Sequence, residues 1–281
     1  MTPFVIGLVL FAALLHASWN AMAKSGGTPQ FSIASYRLIG AAICLPAVFF
    51  FPIPLIESWP MLLVSVLIHN LYYYSLTKSY RLGDLSQMYP LFRGLAPVMV
   101  VIGAALFAGE WLSSGAMLGI ALISFGLISI SLFGGAAGKI SPLALRWGLA
   151  TSVFIATYTV ADGMGVRVAG NSFSYIFWLF LLEPVPICGW LLLRDRANWF
   201  GYMQAKPGKI LLGGLAAGVA YALVIYAMGL GSMGMVSSLR ETSVIFAALI
   251  GSLLFHEPFG RQRIFAAVIV CLGVVLIKLI G

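Results

Sequence analysis

The chain has 281 residues, of which 61% are apolar and only 9% charged, and a mean hydropathy of +1.03. Soluble domains carry roughly 25% charged residues, so this composition suits lipid rather than water. A net charge of +8 would fit nucleic acid as a partner, but the 16 basic residues stand scattered between apolar runs and read as topology signals instead.

A bilayer span needs roughly 20 apolar residues. Runs of that length fall at about 3–23, 31–51, 60–80, 86–108, 113–133, 144–164, 173–193, 209–229, 233–254 and 261–280. In the first, Ala21-Met22-Ala23 resembles a signal-peptidase site, yet His16, Trp19 and Asn20 interrupt the apolar stretch. It therefore reads as a first span. Those three residues lie at i, i+3 and i+4, on one helical face. The second run contains Arg37, and the third puts His69 and Tyr73 on one face with Tyr72 beside them. The fourth pairs Tyr89 with Arg93, and the sixth lines up Phe154, Tyr158 and Asp162. The seventh has Glu183 before Pro184, the eighth Gly214, Gly218 and Tyr221, and the ninth Ser237, Arg240 and Glu241. Gly115 and Gly119 in the fifth, like Gly214 and Gly218, suit close helix packing.

Proline, glycine and polar residues mark the breaks at Lys24–Pro29, Pro52–Pro60, Arg81–Asp84, Gly109–Trp111, Gly134–Pro142 and His256–Gly260. Arg194 to Lys209, the longest polar insert, reads as a loop. Unbroken apolar runs exclude a membrane barrel, whose strands alternate. Cys44, Cys188 and Cys271 sit inside apolar runs and suit packing. Eleven basic residues fall in the odd-numbered loops: Lys24, Lys78, Arg81, Lys139, Arg146, Arg194, Arg196, Lys206, Lys209, Arg261 and Arg263. Only Arg167 and Lys278 fall on the other side. The positive-inside rule places the odd loops in the cytoplasm and both termini outside.

The chain also repeats itself. Displaced by 147 residues, Arg93 meets Arg240, Glu110 meets Glu257 and Gly126 meets Gly273. A displacement of 148 aligns Tyr73 with Tyr221, and one of 139 aligns Ser35-Tyr36 with Ser174-Tyr175. Each unit then has five helices, 1–138 and 139–281, and an odd number inverts the second against the first. The predicted fold is all-α, with ten transmembrane helices as two inverted five-helix repeats around a central cavity.

These residues carry a family resemblance over essentially the whole chain. Tyr80-Arg-Leu-Gly-Asp-Leu-Ser-Gln-Met-Tyr-Pro-Leu-Phe-Arg-Gly-Leu-Ala-Pro97, followed by Gly109-Glu110, resembles the third-to-fourth-helix signature of the drug/metabolite transporter superfamily, in its EamA-type branch. Glu257-Pro258 is similar to the family's acidic end of helix nine. The second half departs from the pattern, with Ser237 where Pro90 stands in the first. The resemblance implies a metabolite carrier in a bacterial cytoplasmic membrane, with the bacterial aromatic amino acid exporters as the nearest group.

An ionisable group at mid-membrane costs roughly 2.5–3.5 kcal/mol on insertion scales, so it should face a partner or a wet cavity. The converging stripes nominate His16, Trp19, Asn20, His69, Tyr73, Tyr89, Arg93, Tyr158, Tyr221 and Arg240 as substrate-facing. Arg93 has no acidic residue at i±3 or i±4, so a substrate carboxylate would satisfy its guanidinium. Arg240 and Glu241 suit pairing with each other as well as ligand contact. Glu183 and Glu241 are the proton-coupling candidates, although a hydrogen bond stabilising the Pro184 kink also suits Glu183.

No GxxxxGK[ST] loop is present, which argues against ATP use, and no cofactor is expected. His256-Glu257-Pro258 is not HExxH, and no metal-spaced histidines support an intramembrane enzyme. The expectation is a secondary exporter of amino acids or similar metabolites, acting as a monomer or homodimer in lipid and without nucleic acid. Drugs or nucleotide-related metabolites as substrates, and a passive channel, are the alternatives.

Overall fold

Backbone groups in lipid must bond within their own segment, and the apolar runs accordingly fold as helices. The computed structural model describes residues 1–24, 28–82, 85–133, 141–255 and 261–280, with no strand among them. The first half contributes α1 (Pro3–Lys24), α2 (Pro29–Ala47), a 3-10 turn (Ile56–Ser58), α3 (Trp59–Leu82), α4 (Leu85–Ala108) and α5 (Ser114–Phe133). The second contributes α6 (Pro142–Val168), α7 (Ser172–Leu182), α8 (Val185–Arg194), α9 (Arg196–Ala205), α10 (Pro207–Leu230), α11 (Met233–Arg240), α12 (Ser243–Phe255) and α13 (Arg261–Ile280). Glu257, Lys139, the 138/139 boundary and the Gly83-Asp84 part of the third break lie outside the described residues.

Local chemistry sets several ends. Ser141, Asn171 and Ser232 accept backbone N–H groups at the starts of α6, α7 and α11. Gly109 and Gly170 adopt φ of +63° and +76°, which favours glycine, and the Leu55 side chain packs over Gly170.

Two expectations need correcting, and two of the expected spans carry a break. The second run ends as helix at Ala47 rather than continuing to 51. The ninth is two helices, α11 and α12, and the seventh likewise divides into α7 and α8 at Glu183-Pro184, where proline removes a backbone donor. The polar insert is not a loop. It contains α9, whose buried Trp199 packs among Phe31, Ala34, Cys188 and Leu191 and donates its indole N–H to Ser35 Oγ at 2.9 Å.

Seven segments are long and apolar enough to cross a membrane among the described residues: Pro3–Ala23, Met88–Ala108, Ser114–Leu132, Pro142–Val168, Ser172–Arg194, Pro207–Leu230 and Met233–Ile250. Polar residues lower the hydropathy of α2 and α3, which hold Arg37, His69 and Asn70.

The packing repeats between halves. α3 lies on α6 as α10 lies on α1; α4 lies on α6 as α11 and α12 lie on α1. α5 crosses α13, α2 crosses α7, and α4 crosses α11. At the α5–α13 crossing a Cβ on Gly273 would come 2.6 Å from the Gly119 carbonyl oxygen. A Cβ on Gly126 would come 3.1 Å from that of Ala266. The 147-residue displacement converts one contact into the other, so a pseudo-two-fold relates the halves here.

Candidate functional site

The polar faces of six helices meet where the halves meet. Glu183, between α7 and α8, accepts a hydrogen bond from Tyr73 of α3 and lies 3.5 Å from Arg37 Nε of α2. The Arg37 guanidinium also covers the Tyr73 ring at 5.6 Å. Around this pair is a crevice lined by Tyr36, Arg37, Gly40, Phe180, Glu183 and Gly218. Its volume is about 10 Å³, room for roughly one water. The Glu183 backbone carbonyl accepts from Asn70 Nδ2 at 3.1 Å. Support beside the kink therefore comes from Asn70, and the carboxylate is committed to Arg37 and Tyr73.

The second pair overturns the argument made for Arg93. Its Nε lies 2.6 Å from Glu241 Oε2 between α11 and α12, and its Nη2 donates to Ser243 Oγ at 3.3 Å. A search at i±3 and i±4 sees only one helix, and this acid comes from another. Tyr89 supports the Arg93 guanidinium from below, 5.9 Å from ring centre. Arg240, only 2% exposed, stands 3.8 Å from the same carboxylate. Its Nε and Nη2 have no hydrogen-bond partner among the described residues. Its charge bears on His16, Tyr89, Tyr158 and Tyr221.

Aromatic rings join the two pairs. His69 stacks on Tyr158 at 4.0 Å between centroids, and Tyr221 meets both edge-on at 5.4 and 5.9 Å. Phe180, a wall of the crevice, stacks on Tyr221 at 6.3 Å. His69 Nδ1 lies 2.9 Å from the Ser65 carbonyl oxygen. The Ser65 hydroxyl lies 3.1 Å from the same nitrogen, so Ser65 holds the ring from two sides.

Among the nominated residues His69, Tyr73, Tyr89, Arg93, Tyr158, Tyr221, Arg240, Glu183 and Glu241 come together. His16 stands partly buried at their edge. Trp19 packs edge-on against His16 and Tyr36 at 5.1 and 6.3 Å, in the contact of α1 with α2 and α10. The Asn20 amide donates to the His16 carbonyl of its own helix at 2.7 Å, so it is spent locally. The sequence put Arg37 and Asp162 inside apolar runs, which was the available signal in both, but neither was nominated for the site. Asp162, 0% exposed, accepts from Tyr175 at 3.0 Å and from Tyr221. Gly165 leaves room for the Tyr175 ring, which would stand 2.5 Å from an added Cβ.

A further charged group clasps one end of the bundle. Glu110, after α4, accepts from Arg167 Nη2 at 2.9 Å, Ser232 Oγ at 2.5 Å and the Gly234 N–H at 3.4 Å. Arg167 in turn reaches the Met228 and Gly231 carbonyls at 3.0 and 2.7 Å. Burial alone would raise the Glu110 carboxyl, but the Ser232 and Arg167 hydrogen bonds outweigh it and hold it below its ordinary range.

Apolar helices around buried ion pairs, in two packed copies, define a multi-pass membrane transport protein. The sequence profile of the EamA-like transporter family matches residues 3–132 and again 142–279, and the chain belongs to that family. The chain thus carries two copies of the family's domain. A solved crystal structure, described only as "Crystal structure of protein", superposes with a TM-score of 0.78 at 17% identity. It covers 99% of this chain and 98% of the other; at that identity the likeness shows the fold alone. No curated protein matches the chain.

Proposed function

We propose that the chain is a secondary carrier exporting small metabolites, amino acids with aromatic or apolar side chains first among them, by alternating access. The observation that carries this reading is Arg240: a buried guanidinium, 3.8 Å from Glu241, with two nitrogens that make no hydrogen bond among the described residues, beside a ring cluster of Tyr158, Tyr221 and His69. A substrate carboxylate would complete its fork, and the rings would take the apolar part. The Arg37 crevice has room for roughly one water, so a larger molecule would reach Glu183 through it only if the helices moved.

Adding α2, α3 and α13 to the seven apolar segments gives ten spans in two inverted halves. The distribution of basic residues supports the ends of α1, α3 and α8 on the cytoplasmic side and both termini on the other, which in a bacterial cytoplasmic membrane is the periplasm.

The test is counterflow in proteoliposomes loaded with a mixed amino-acid pool, following labelled phenylalanine and threonine. Wild type should show saturable, exchange-accelerated uptake, and Arg240→Ala should lower it at least tenfold with the fold intact. Linear, unsaturable flux would favour a channel instead. Saturable exchange that survives Arg240→Ala would remove the carboxylate assignment.

A further inference from the structure

Among the described residues three acids lie buried in the bundle, and they are not equivalent. Glu183 has Arg37, and Glu241 has Arg93 with Arg240 beyond it. Asp162, six residues before the end of α6 at Val168, makes no ion pair among the described residues. Its partners are all neutral: Tyr175 from α7, Tyr221 from α10 and the Ser65 hydroxyl from α3. α3 also presents His69, a titratable side chain close to it. The charges on α4 and α11, Arg93 and Arg240, bear on Tyr158, one turn from Asp162.

A carboxylate buried in lipid without a counter-cation is costly, and a bound proton is the smallest thing that neutralises it. The carboxylates of Glu183 and Glu241, in contrast, are already compensated by arginine. We propose that Asp162, with His69 beside it, is the proton-binding site of the carrier, exchanging one proton for substrate in each cycle. The proton passes from water to the carboxylate oxygen on one side of the membrane and returns to water on the other. No covalent bond of the substrate changes.

The hydrogen-bond partners show how the proton would reach the substrate. Ionised, Asp162 can only accept from Tyr221; protonated, it can donate to the same hydroxyl. Tyr221 stacks on Phe180 and meets His69 and Tyr158 edge-on, so its placement shapes both the Arg37 crevice and the rings beside Arg240. Helices α3, α6, α7 and α10 all touch this one carboxylate.

The inference rests on the carrier reading, and the experiment separates the two. Proteoliposomes containing an internal pH dye are assayed for counterflow without a gradient and for accumulation under an imposed gradient. One proton per substrate predicts about tenfold accumulation per pH unit, with proton movement opposite to substrate. Asp162→Asn should still exchange amino acids in counterflow but lose both the accumulation and the proton signal. Asp162→Glu, which keeps a carboxyl, should retain coupling with a shifted pH profile. That variant decides the matter if the asparagine protein fails to fold. Wild-type net substrate movement under the imposed gradient without opposite proton movement, an Asp162→Asn protein still driven by the gradient, or an Asp162→Glu profile identical to wild type would each overturn the proton site and leave the carrier standing. Absence of any exchange in wild type would remove both.

Discussion

At Glu110 one side chain holds four helix ends, those of α4, α6, α10 and α11, through Arg167, Ser232 and the Gly234 N–H. The pair is partly wet, with Arg167 31% and Glu110 14% exposed, so each bond counts for less than a buried one. Glu110→Gln should cost about 1–2 kcal/mol, the low side of the roughly 1.5–3 kcal/mol for hydrogen bonds to a charged group because the pair is partly wet. Because the folded state lowers the Glu110 pKa, its stabilisation is present at neutral pH and is lost as pH falls through the folded value. Melting in detergent should therefore show a gap between wild type and Glu110→Gln that is constant near neutrality and closes only below the ordinary glutamate range. A gap that persisted there would mean the charge is not what the latch uses. At this scale the sequence exposed which residues were unusual but not who meets whom. Arg93 looked unpaired because Glu241 belongs to another helix, and Asp162 looked incidental until Tyr175 and Tyr221 closed around it.

The helices themselves differ in how they bend, and proline is a poor guide to where. α4 contains Pro90 and Pro97 yet continues unbroken, whereas α11 and α12 part at Glu241 without a proline. The backbone there tightens to i→i+3 bonds: Glu241 N–H to the Ser238 carbonyl, Thr242 to Leu239, Val244 to Glu241. The Thr242 hydroxyl also donates to the Leu239 carbonyl at 2.7 Å, competing with the regular helix. A mid-helix 3-10 stretch often marks a hinge, and this one carries the carboxylate that Arg93 and Arg240 share. Thr242→Ala should let the helix close, leaving the melting temperature equal or higher while counterflow slows several-fold. Faster or unchanged exchange in that variant would show that the break is static. The apolar runs made the helices legible, but a run has no mark for a break set by a buried charge. Nor did the polar insert announce α9, whose Trp199 is buried only because α2 and α8 lie over it.

Across the whole molecule charge and contact bind the halves together in different places. Arg37–Glu183, Arg93–Glu241 and Arg167–Glu110 each join a residue of one half to a residue of the other. The α5–α13 crossing joins them without charge, by letting two backbones approach at Gly119 and Gly273. The repeat was visible in sequence because spacing survives divergence; the crossing was not, because a glycine in an apolar run does not name its neighbour. Closeness there is unforgiving. A Cβ on Gly273 would face the Gly119 carbonyl oxygen at 2.6 Å and Ile123 Cγ1 at 2.7 Å, and a helix backbone cannot turn aside as a side chain can. Overpacking of this kind typically costs about 1–3 kcal/mol. Gly7 on α1 has nothing within 4 Å of its added Cβ. Gly273→Ala should therefore lower the melting temperature by several degrees, while Gly7→Ala, which also replaces a helical glycine, leaves it unchanged or raised. If the halves rock about this crossing, Gly273→Ala should also depress exchange more than its loss of folded protein explains. Equal effects of the two alanines on melting would mean that α5 and α13 do not meet backbone to backbone.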